Sequence, residues 1–91
     1  MPKFRMTFDP ERTCREIENE VKRATQIHRG MNSLHEAYAV ILEELDEFWE
    51  QVKVNPRKLS PDEQALRLAR IRNELIQTAA MCVRAIGDLK L

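Results

Sequence analysis

Glycine is nearly absent from this chain, at two residues in 91, and proline is sparse at four. A Gly-rich phosphate loop and a nucleophile elbow both depend on glycine at fixed spacing, and neither pattern occurs; a Cys/His dyad is missing too. No stretch is long and apolar enough to span a bilayer, so a single soluble domain is expected, with no membrane role. The chain does not open on the basic, apolar and small-residue run of a secretory signal, and a cytoplasmic location follows as the expectation. Lys+Arg and Asp+Glu are equal at 15 each. That balance argues against nucleic acid as a partner, which calls for a basic excess. Cys14 and Cys82 make no disulfide framework and no zinc-ligand spacing. Both sit at apolar positions of helical patterns, so two reduced, buried thiols are expected.

What the chain does have is helix. Residues 1–8 show no period and read as an N-terminal arm; residues 9–91 read as one helical domain. Asp9 is a good N-cap with Pro10 at the first helical position, where its missing N–H costs nothing. Cys14, Ile17, Val21, Ala24, His28 and Met31 then form one stripe, which makes His28 a packed core histidine, and Gly30 is the expected break. A second helix is expected over 32–54, with the stripe Leu34, Tyr38, Ile41, Leu45, Phe48 and Val52 in coiled-coil-like spacing. Pro56 ends it in a short hairpin loop. Ser60-Pro61-Asp62-Glu63 carries the reciprocal capping box of a third helix reaching about Asp88.

The second half of that third helix is apolar on most sides. Leu75, Ile76, Ala79, Ala80, Met81, Cys82, Val83, Ala85 and Ile86 are interrupted by a single charge, Arg84. A small chain covers such a helix poorly, so another copy is expected to pack on it, giving a homo-oligomer, dimer or tetramer.

The chemistry is expected in the carboxylates. Glu43-Glu44-Leu45-Asp46-Glu47 lies on the second helix, and like charges three and four residues apart repel. For this run alone, a solvated acidic face is the ordinary explanation. Two details point further: Glu36, Glu43, Glu47 and Glu50 have no basic i+4 neighbour before Lys53, and Glu74 is a lone acid in an apolar stretch that needs a partner or a cation. At ~1.5 Å per residue, folding the second helix back on the third brings Glu43 level with 71–74 and Glu36 level with Gln77. Mg²⁺, or Mn²⁺ in its place, takes such oxygen ligands and completes its shell with water or phosphate.

Glu43-Glu44-x-x-Glu47 on one helix, with Glu74 on the next, resembles the MazG-like all-α nucleotide pyrophosphohydrolases, whose signature is EExxE followed by ExxD. The resemblance runs from about Ser33 to Leu89. It implies an antiparallel helical hairpin plus an N-terminal helix in an oligomeric bundle, and Mg²⁺-dependent cleavage of a nucleoside triphosphate to the monophosphate and pyrophosphate. Carried over by residue, Glu43, Glu44, Glu47 and Glu74 would hold metal, with Glu44 and Glu47 acting in catalysis. The signature's aspartate is Gln77 here, an amide without charge, and Glu36 is the carboxylate expected to replace it. His35 would orient a ligand or sit on the surface, and Phe48 and Trp49 would stack a base or pack in a core or interface. Arg84, Lys53, Arg67 and Arg70 are candidate phosphate contacts. The departure at Gln77 leaves a second expectation open, a helical oligomerisation or regulatory module without turnover. A coiled-coil-like partner-binding protein is a third.

Overall fold

The computed structural model describes residues 9–91. Its elements are α1 (Pro10–Ile27), α2 (Leu34–Val52), a single 3-10 turn (Pro56–Lys58) and α3 (Pro61–Asp88), with no strand among the described residues. The expected arm over residues 1–8 lies outside them. α3 is the element on which both other helices pack. The result is a thin layer, 42 × 40 × 22 Å along its principal axes.

Local chemistry explains every helix start. Asp9 caps α1, its carboxylate accepting from the Arg12 N–H at 3.0 Å, with Pro10 following. α1 stops at Ile27, short of Gly30, because His28 turns extended and only its N–H reaches back, to Ala24 O at 2.8 Å. Ser33 caps α2 through the Glu36 N–H. Asn55 accepts from the Arg57 N–H to start the 3-10 turn, and the expected Ser60–Glu63 box is complete in both directions.

The core is small. Ala24, Met31, Ala37, Ala80, Met81 and Ala85 are buried, with Ile17, Val21, Val40, Ile41 and Leu89 packed against them. Among the described residues no large side chain is fully enclosed.

Two expectations about faces need correcting. The side of α2 turned inward carries Ala37, Val40, Ile41, Glu44, Phe48 and Gln51, all buried or half-buried. Of the expected stripe only Ile41 and Phe48 belong to it; Leu34 and Tyr38 stay 66% and 69% exposed. The seam was missed because it runs through alanine and a glutamate. On α3, Ala80 and Ala85 are buried within the chain itself, whereas Leu68, Leu75, Val83 and Ile86 are exposed. Cys14 and Cys82 are free thiols, as expected, but exposed rather than buried. His28 is exposed beyond the end of α1 and is not a core residue.

Candidate metal centre

Glu44 is the residue that the fold makes unusual. It lies on the α2 seam, and across it on α3 stands Glu74; one turn along α2 from Glu44's neighbour Glu43, Glu47 completes the group. One carboxylate oxygen from each of Glu44, Glu47 and Glu74 lies within 4.8 Å of the others. Burial, first, and then the charges of Glu47, Glu74 and Glu43 push the Glu44 carboxyl up to about 7. Burial and the neighbouring Glu47 raise Glu74 as well.

The hydrogen-bond inventory of this group is incomplete. Glu44 Oε2 and Glu74 Oε2 are buried, and each lacks a hydrogen-bond partner. A buried carboxylate oxygen without a donor costs free energy, and three converging carboxylates multiply that cost. A divalent cation with oxygen preference would supply what is missing: positive charge, and ligand positions for lone pairs that no N–H reaches. The donor set therefore suits Mg²⁺ or Mn²⁺.

The remaining expected ligands stand next to this group rather than in it. Glu43 and Glu36 line a neighbouring cleft of about 380 Å³ together with His28, Arg29, Met31, Val40, Glu44, Met81 and Arg84. Glu36 is also engaged locally, accepting from the Asn32 N–H at 3.0 Å as part of the start of α2. Its cleft partners on α3 are Met81 and Arg84, one turn and more beyond Gln77, so the expected pairing of Glu36 with Gln77 is displaced toward the α3 C-terminus. Gln77 is half-buried on α3, three residues after Glu74.

The basic candidates are mostly occupied in holding the fold. Arg67 donates to Gln51 O at 2.9 Å, tying α3 to the end of α2. Lys53 pairs with Glu50 at 2.9 Å. Arg84 is 6% exposed and donates to Arg29 O at 2.9 Å. Arg23 of α1, in electrostatic reach of Glu44, is held by Glu20. Trp49 is 55% exposed and His35 is exposed; neither lines the cleft. Sequence reasoning missed His28 and Arg29 as cleft residues, because a helix expected to run on to Gly30 hid the loop that carries them.

Compared with known proteins, the chain matches no protein-family model, no curated protein and no solved structure. No helix of the described residues is long and apolar enough to cross a membrane.

Proposed function

We propose that this chain is a Mg²⁺-dependent nucleoside triphosphate pyrophosphohydrolase of the MazG-like kind, releasing pyrophosphate and leaving the monophosphate. The observation that carries this reading is the Glu44–Glu47–Glu74 group with its two partnerless buried oxygens. Glu44 and Glu74 would hold the cation, and Glu47, the exposed member of the group, would also take a proton from an attacking water. The cation would polarise a phosphoryl oxygen and lower the pKa of bound water, chemistry that no residue nearby offers alone.

The reading includes a homo-oligomer, supported by the extent of exposed apolar surface on α2 and α3. Gln77 favours one alternative, a helical module that binds nucleotide without turnover, because an amide in place of the signature's aspartate removes a charge from the site. A panel of ribo- and deoxynucleoside triphosphates, assayed for pyrophosphate with Mg²⁺ and with chelator, decides between them. Metal-dependent pyrophosphate release abolished by Glu44→Gln is expected; binding without release assigns the module instead.

A further inference from the structure

The cleft beside the carboxylates has two walls of opposite sign. Glu36, Glu43 and Glu44 form one, and the α1–α2 loop residues His28 and Arg29 form the other with Arg84 of α3; Met31, Val40 and Met81 supply the apolar lining. Its volume, about 380 Å³, is in the range of small-molecule sites.

The loop wall is built rather than loose. The buried Arg84 donates to Arg29 O at 2.9 Å, and Asp88 Oδ2 accepts from the Met31 N–H at 2.9 Å. Arg84 and Asp88 also approach each other to 3.9 Å. A Cβ at Gly30 would stand 3.4 Å from Asp88 Cγ, in ordinary contact, so the Asp88 side chain lies directly against the loop. Arg84 Nε, buried, has no hydrogen-bond partner. Among the described residues, the side chains of His28 and Arg29 take part in no hydrogen bond or ion pair. Their donors are uncommitted, in contrast to those of Arg23, Lys53 and Arg67.

We infer that this cleft receives the oligophosphate part of the ligand, with His28 and Arg29 contacting it from the α1–α2 loop while the carboxylate wall faces its metal-bound end. This rests on the nucleotide reading above and adds the residues that orient the substrate. A nucleobase fits the cleft less well, because no Phe, Tyr or Trp side chain lines it. A free anion alone is also disfavoured, since three glutamates would repel it until a cation neutralises them. An oligophosphate bound with Mg²⁺ meets both walls, negative at one end and positive at the other.

The test measures binding of inorganic tripolyphosphate and of orthophosphate, each with Mg²⁺, by calorimetry. The proteins are the parent, His28→Ala/Arg29→Ala, the single charge reversal Arg29→Glu, and Arg57→Ala as a control in the distant 3-10 turn. Loss of the two loop contacts should weaken tripolyphosphate by at least about tenfold and orthophosphate much less, and Arg57→Ala should behave as the parent. The inference is overturned if the loop variants bind tripolyphosphate like the parent, if Arg57→Ala loses as much, or if the parent binds none. Pyrophosphate release from nucleotides is followed separately. Loop-dependent tripolyphosphate binding without turnover would sink the hydrolase and leave the cleft standing, whereas turnover indifferent to the loop variants would do the reverse.

Discussion

At the residue scale the chain concentrates cost in one carboxyl. Glu44 binds its proton more tightly when folded, its pKa rising from 4.5 to about 7, so between those values the folded protein carries more protons than the unfolded one. The stability that protonated Glu44 contributes without metal is therefore fully present below about pH 4.5 and is lost as pH rises through about 7. Mg²⁺ bound as proposed would compete with that proton, so its stabilising effect should grow over the same range. Thermal melts at steps from pH 5 to 8, with chelator and with millimolar Mg²⁺, should show a falling Tm in chelator and a widening gap between the two. Glu44→Gln should flatten the slope and close the gap; a gap that is constant with pH would remove Glu44 from the metal site.

Gln77 and Glu36 separate at this scale too. Gln77 is one turn from Glu74 on the same helix, whereas Glu36 is engaged by the Asn32 N–H and lines the cleft beyond. Gln77→Asp should therefore tighten Mg²⁺ binding, by adding charge beside the group. Glu36→Gln should leave metal affinity within a few-fold and lower stability by only ~0.5 kcal/mol, since the amide oxygen still accepts from the Asn32 N–H and only the first-turn negative charge is lost. Titration calorimetry with Mg²⁺ and a denaturant series check the two halves, and a metal affinity lost in Glu36→Gln would restore Glu36 as a ligand.

At the element scale, what could be read from the chain is what local chemistry dictates. Asp9-Pro10, Pro56 and the Ser60–Glu63 box each act within four residues, and the structure places all three as expected. Removing that box by Ser60→Ala should cost ~1 kcal/mol, read as a lower denaturant midpoint with unchanged slope. The α1 terminus could not be read, since nothing in Ile27-His28-Arg29 forbids another turn. What stops the helix is remote: Arg84 and Asp88, 55 and 57 residues on, bind the loop backbone and pull it across α3. The candidate site divides the same way. Glu44, Glu47 and Glu74 were legible from carboxylate spacing and hairpin register. The cleft was not, because its basic wall belongs to that remotely held loop and its acidic wall required knowing that α2 turns Glu44 inward and not Leu45.

At the scale of the whole molecule, the thin layer has two unlike faces. Successive residues of α2 turn by ~100°, so Glu43 and Glu47 lie to one side of the Ala37–Glu44–Phe48 seam. Tyr38, Leu42, Leu45, Trp49 and Val52 lie to the other, all at least 39% exposed and recurring in 4-3-4-3 spacing. On antiparallel α3, Leu68, Leu75 and Ile86 fall on that same second side, at 53%, 46% and 56%. Monomeric proteins seldom leave so many large apolar side chains together in water, and covering the exposed half of each contributes ~1 kcal/mol. A second copy of the chain, laid apolar face to apolar face, would cover the patch and leave the carboxylate side open. Light scattering at micromolar concentration should accordingly give a dimer or tetramer mass. Leu45→Glu/Leu75→Glu should lower that mass toward the monomer, because it places unpaired charges in the contact. Ala80→Arg would be the wrong probe, since Ala80 is fully buried within its own chain and the change would unfold it. If the faces are independent as the wheel requires, the glutamate double variant should still gain stability from Mg²⁺ wherever it remains folded. Loss of that gain together with the lost mass would mean that the partner copy helps hold the metal centre, and a parent protein that is monomeric from the start would overturn the face assignment altogether.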